Sequence, residues 1–99
     1  MYCRIQPCMH REIECRITGR VQFVMYRDFA QRKARMLGIT GYVRNEPDGS
    51  VRAVAQAPEK ILISYIGMLK KGPVFARVDA VEVIWREQGP LYDRFLINY

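Results

Sequence analysis

Residues 11–38, REIECRITGRVQFVMYRDFAQRKARMLG, change hydrophobic period partway along. In the first part Ile13, Cys15 and Ile17 alternate with Glu12, Glu14, Arg16 and Thr18, the period of two expected of a strand with one buried face. Gly19 ends that alternation. From Tyr26 the period lengthens: Tyr26, Phe29, Ala30, Ala34 and Leu37 share one face at three- and four-residue spacing, while Arg32, Lys33 and Arg35 fall on others. Gly38 stands where a helix closes on a C′ glycine. The stretch therefore predicts a strand, a short loop and an amphipathic helix.

The rest of the chain repeats this unit. Residues 39–44 read as a second strand. Glu46, Pro47, Asp48 and Gly49 form a turn, because proline presets φ and glycine supplies a positive one, and residues 51–56 return as the other arm of a hairpin. Pro58 suits the first position of a second helix, whose apolar stripe is Ile61, Leu62, Tyr65, Ile66 and Leu69. Gly72 and Pro73 stop it. Residues 74–86 alternate in part, with Val81, Val83 and Trp85 on one face, and predict a fourth strand. Residues 95–99 predict a short fifth one after a Gly89-Pro90 break. The order β-α-β-β-α-β is that of a split βαβ, ferredoxin-like α/β sandwich of the α+β class. Right-handed crossovers place both helices on one face of an antiparallel sheet and leave the other face more open.

Composition agrees with one globular domain. The chain has 99 residues, 49% of them apolar and 26% charged, which excludes a disordered chain. The expected division is an N-terminal arm over residues 1–10 and a domain over residues 11–99. No apolar run approaches the length of a membrane span, and the first residues lack the apolar core of a signal peptide, so a cytoplasmic location is expected, with a monomer as the default. Cys3, Cys8 and Cys15 are odd in number, which argues against a disulfide framework. With His10 they could be written as a zinc set, but the CxxC knuckle is missing; a free Cys15 facing the core is the simpler expectation. A cysteine-nucleophile phosphatase would need five residues between Cys15 and an arginine, and Arg20 follows after only four.

A net charge of +6 favours an acidic partner. The junction of the first strand and first helix, residues 19–27, is where an anion would bind. A loop entering a helix presents unpaired backbone N–H groups, the helix dipole adds to their field, and Arg27 brings a guanidinium that can grip a phosphate with two bonds.

Here the chain resembles a known family. Gly19-x-Val21-Gln22-x-Val24-x-Tyr26-Arg27 is similar to the acylphosphatase signature G-x-V-Q-G-V-x-[FY]-R. Gly41-Tyr42-Val43-Arg44-Asn45 with Asp48-Gly49-Ser50-Val51 resembles the second signature of that family, and Gly72-Pro73 with Ala76-Arg77-Val78 resembles a third. The resemblance spans residues 11–99. It implies the ferredoxin-like sandwich and the hydrolysis of small-molecule acyl phosphates to a carboxylate and inorganic phosphate, without metal or cofactor. It further implies that Arg27 binds the phosphoryl group together with the backbone amides of Gln22, Phe23, Val24, Met25, Tyr26 and Arg27, and that Asn45 holds the attacking water. The pattern is broken at one place: Phe23 stands where the family has glycine. If that glycine serves a positive φ or a close approach to the phosphate, phenylalanine strains or shields the cradle and lowers activity.

Two other readings compete. One is a catalytically weakened relative that keeps only anion or partner binding, and Phe23 is its discriminating residue. The other is an RNA-binding module, since RNA-recognition motifs share this element order and Phe23-Val24-Met25-Tyr26 matches part of one of their motifs. That match precedes the first helix instead of lying on the third strand, so it would not stack bases on the sheet. Tyr26 and Tyr42 are expected to pack, and Arg20 and Arg44 to be solvated charges.

Overall fold

The computed structural model describes residues 10–98. The elements run β1 (His10–Arg20), α1 (Tyr26–Met36), β2 (Thr40–Asn45), β3 (Val51–Pro58), α2 (Glu59–Lys71), β4 (Arg77–Arg86) and β5 (Phe95–Asn98). The sheet order is β4-β1-β3-β2-β5. The first four strands are antiparallel neighbours, as the topology predicts, and β5 adds to the edge of β2 in parallel. Cys3 and Cys8 lie outside the described residues. Described helices are all too short or too polar to cross a membrane.

The core lies between the two helices and one sheet face. Ile13, Cys15 and Ile17 of β1, Val43 of β2, Val51, Ala53 and Ala55 of β3 and Phe95 of β5 meet Ala30 and Ala34 of α1 and Leu62, Tyr65 and Leu69 of α2. Small residues on β3 and α1 let the helices approach the sheet closely. Two buried tyrosines tie the helices crosswise: the Tyr26 hydroxyl donates to Leu69 O at 2.6 Å, and the Tyr65 hydroxyl donates to Ala30 O at 2.9 Å. Burial satisfied by one hydrogen bond each is the expected state of core tyrosines. Burial also pushes the Cys15 thiol up to about 12, with Glu14 adding to the shift, so this cysteine is an inert part of the core.

Several element boundaries differ from expectation, and β2 runs one residue later at each end, Thr40–Asn45. Pro58 ends β3, paired with His10, and caps α2 from an extended conformation (φ −60°, ψ 150°), so the helix begins at Glu59. A residue without an N–H is tolerated at a strand end as readily as in a first helical turn. β4 starts at Arg77 and not at residue 74, because residues 73–76 close a turn through Ala76 N–H to Pro73 O at 3.1 Å. β1 begins one residue earlier than expected, at His10.

The second sheet face is only half open. Residues 87–94 fold over its end farthest from the β1–α1 loop. Glu12, only 4% exposed, accepts from Gln56 Nε2 at 2.8 Å, from Arg86 at 2.7 Å and from the Gly89 amide at 3.1 Å. Gln56 in turn donates to Pro90 O at 2.7 Å and accepts from the Tyr92 amide at 3.2 Å. Tyr92 packs edge-on against Tyr42. Elsewhere the face carries ion pairs.

Burial alone would raise the Glu12 pKa, but the hydrogen bonds from Gln56, Gly89 and Arg86 outweigh it, and the net shift is downward. A lowered folded-state pKa means that the stabilisation is complete above the unfolded value of 4.5 and is lost as pH falls through the folded one. Glu12→Gln should therefore cost about 1–3 kcal/mol in urea unfolding at pH 7. The gap to the unmodified chain should shrink in acid, below the carboxylate range. A gap that stays constant down to acid pH would contradict this assignment.

Candidate functional site

β1 leaves the sheet through a bulge. Its register to β4 shifts between Thr18 and Gly19, where the backbone has φ +123°. A Cβ on Gly19 would collide with the carbonyl of Arg77, so only glycine lets β4 close against this turn. The chain then makes a run of bends over residues 22–25 and enters α1 at Tyr26. Val21 and Tyr26, each 1% exposed, anchor the two ends of the loop in the core. The first turn of α1, whose amides lie at the positive end of the helix dipole, opens directly from this junction.

Asn45 comes to the same place from another direction. It is the last residue of β2, at the strand end beside the loop. The turn that follows is tightly held. The Glu46 amide donates to Ser50 O at 2.8 Å, and Asp48 Oδ1 accepts from the Ser50 amide at 2.9 Å and its hydroxyl at 2.6 Å. Arg16 Nη2 reaches Asp48 at 2.6 Å from β1. These Ser50 and Arg16 bonds hold the Asp48 carboxyl well below the usual range.

Arg27 and Asn45 line one cavity of about 200 Å³, with Val21, Phe23, Met25, Tyr26, Asp28 and Ile97 completing its wall. Asn45 Oδ1 is buried and finds no hydrogen-bond partner among the described residues. Buried amide oxygens are rarely left unsatisfied, so this one is open to a partner beyond the described residues. Asp28, the one acid of the wall among the described residues, is engaged by Arg32 at 2.8 Å. Its charge is thereby partly offset beside an otherwise cationic site.

Gln22 contributes its side chain, and the motif reading concerned only its amide. Its Nε2 donates to Glu46 O at 2.8 Å and to Ser50 O at 2.9 Å. One carboxamide thus ties the β1–α1 loop to the β2–β3 turn, and through it sets the distance between Arg27 and Asn45. The only sequence signal for this was an amide side chain at a fixed place in a loop.

Phe23 has φ +61°, the left-handed region that a glycine there would occupy freely; Met25 has the same φ. Each such residue costs on the order of 1 kcal/mol. The Phe23 ring is 90% exposed, so it stands at the mouth of the cavity and does not fill it.

A larger concavity of about 330 Å³ lies on the open sheet face, lined by Glu14, Arg16, Glu46, Asp48, Arg52 and Glu82 among others. Its arginines already face carboxylates: Arg16 meets Asp48 and Glu82 at 2.6 and 3.8 Å, and Arg52 meets Glu46 and Glu14 at 3.3 and 3.4 Å. An anion arriving there would meet more carboxylates than guanidinium groups. The basic stretch of α1 is likewise engaged: Arg32 with Asp28, Arg35 with Phe95 O, and Lys33 over the Phe29 ring. With Tyr26 in the core and Phe23 on a loop, the aromatics of residues 23–26 do not form a base-stacking platform on the sheet.

Comparison with known proteins agrees with this fold. The family model for acylphosphatase matches residues 13–97. The acylphosphatase of Salinibacter ruber is 45% identical over 88 residues, spanning 89% of this chain and 93% of its own length. That of Thermus thermophilus is 52% identical over 75 residues, spanning 76% of this chain and 85% of its own. The crystal structure of acylphosphatase from Bacillus subtilis superposes with a TM-score of 0.88 at 32% identity, covering 90% of this chain and 99% of that one. A strand-loop-helix cradle with Arg27, an asparagine brought to it by a hairpin, and this match over nearly the whole domain lead to one conclusion: the chain belongs to the acylphosphatase family.

Proposed function

We propose that the cavity shared by Arg27 and Asn45 is where this chain hydrolyses acyl phosphates, with Arg27 binding the phosphoryl group and Asn45 placing the attacking water. The observation that carries the reading is the meeting of two side chains from different elements at one cavity, one of them with a buried amide oxygen that has no hydrogen-bond partner among the described residues.

The amides of residues 22–27 and the Arg27 guanidinium would hold the three peripheral phosphoryl oxygens. Donors fixed beforehand stabilise the charge of a loose phosphoryl-transfer transition state without reorganising. Asn45 Oδ1 would accept a hydrogen bond from a water and aim its oxygen at phosphorus. A neutral carboxamide does this without a pKa to tune. Water adds to phosphorus, the bond from phosphorus to the acyl oxygen breaks, and the carboxylate leaves with the bond's electrons. The water's proton passes to a phosphoryl oxygen. Because the carboxylate is a good leaving group, positioning and electrostatics suffice for the step. All of these groups come from one chain, which supports a monomer as the working unit. A soluble cytoplasmic setting is the corresponding proposal for location.

Arg27→Gln should lower kcat/KM for benzoyl phosphate by about 100-fold or more, and Arg27→Lys should recover only part of it, because a point charge lacks the two-pronged grip. Asn45→Ala should lower kcat by a similar factor while the inhibition constant of inorganic phosphate changes little. Unchanged turnover in either variant would overturn the assignment of that residue.

Gln22→Met keeps the length of the side chain and removes the tie. Glu46 O and Ser50 O each keep a backbone donor, Gly49 and Glu46 respectively, so the stability cost should be only about 1 kcal/mol, or a Tm lower by about 4–8 °C. The kinetic cost should be larger, at about 10-fold or more in kcat, because the loop and the turn lose their fixed spacing. A variant with lowered Tm and normal kcat would make Gln22 structural only.

A further inference from the structure

Phe23 carries two unfavourable features that nothing among the described residues repays. Its backbone is strained at φ +61°, and its ring is 90% exposed. Met25 repeats both, with φ +61° and 70% exposure. Strain and exposed apolar surface coinciding at a site point to something outside the protein that they contact. Both residues line the cavity that holds Arg27 and Asn45, and Val21 and Ile97 extend the same wall with aliphatic surface. Polar and apolar parts are thus divided within one cavity. Arg27 and Asn45 suit a phosphate and a water, while the Phe23 and Met25 side chains offer a hydrophobic contact beside them.

We propose that Phe23 and Met25 form an acyl-group subsite, which makes this chain selective for acyl phosphates whose acyl part is large and apolar, aromatic or branched, over small ones. The proposal rests on the reading of the cavity as the site of acyl-phosphate hydrolysis. Its occupant follows from connectivity: once the phosphoryl group sits between the cradle amides and Arg27, the acyl group is bonded to it and must leave through the mouth where the two side chains stand. A glycine at position 23, as in the family signature, would give the cradle its φ without strain but would offer no such surface.

The test is the ratio of kcat/KM for benzoyl phosphate to that for acetyl phosphate, compared across variants so that the intrinsic reactivities of the two substrates cancel. Phe23→Ala keeps the strained backbone and removes the ring; Phe23→Gly removes both. Relief of strain in the cradle acts on both substrates alike, so both variants should lower the ratio by the same factor, about fivefold to tenfold. Phe23→Leu should retain most of it, and Met25→Ser should lower it by a smaller factor. Phe75, 80% exposed on the loop after α2 and outside the cavity wall, is the control: Phe75→Ser should leave the ratio unchanged. A ratio unmoved by Phe23→Ala and Phe23→Gly, or lowered as much by Phe75→Ser, would overturn the subsite while leaving the hydrolysis intact. Failure of the unmodified chain to turn over either substrate would overturn the assigned reaction, and the subsite with it.

Discussion

One carboxamide holds the two halves of the site together. Gln22 spans from the β1–α1 loop to two carbonyls of the β2–β3 turn, at 2.8 and 2.9 Å. The fold brings the C-terminal ends of β1 and β2 to the same edge of the domain, on either side of β3. It does not by itself set the gap between a loop and a turn to within the fraction of an ångström that catalysis needs. Gln22 does so from inside the loop that leads into α1, and the turn it grips is already rigid through Asp48, Ser50 and Arg16.

The division of charge over the molecule follows from the sheet. On the open face, arginines pair with carboxylates of neighbouring strands and of the β2–β3 turn, and their field largely cancels. Exposed pairs of this kind contribute little to stability. Their larger effect is to keep the open face close to neutral, whereas the cavity at the loop end has Arg27 in its wall. The strained left-handed residues sit in this same loop. Stability is held in the packed centre, where Tyr26 and Tyr65 lock the helices, and the loop can carry strain because both of its ends are anchored there.

Much of this could be read from residues in order. The change of period between Ile17 and Tyr26 located the first strand and helix, and the Pro47-Asp48-Gly49 turn located the hairpin, because local steric rules govern both. The motif residues Arg27 and Asn45 were legible as a pair only through resemblance; their meeting at one cavity is a tertiary fact. The mismatch at Phe23 was visible as a broken pattern, and φ +61° supplies its physical meaning. What stayed hidden depends on long-range partners. The grip of Gln22 reaches 24 and 28 residues along the chain. The cover of residues 87–94 over the sheet hangs on Glu12 and Gln56, polar residues on an alternating strand that would otherwise be read as solvated. Pro58 could end a strand or begin a helix with equal local comfort, and the pairing with His10 decided it.

The most direct measurement is a titration of inorganic phosphate into the ¹⁵N-labelled chain, followed by two-dimensional NMR of backbone and side-chain amides. Saturable shifts should appear at the backbone amides of residues 22–27 and at the side-chain amide of Asn45, and Arg27→Gln should abolish them. Saturable shifts centred on Arg16 and Arg52 of the open face, or a cradle that shows none, would contradict the placement of the anion site between α1 and the end of β2.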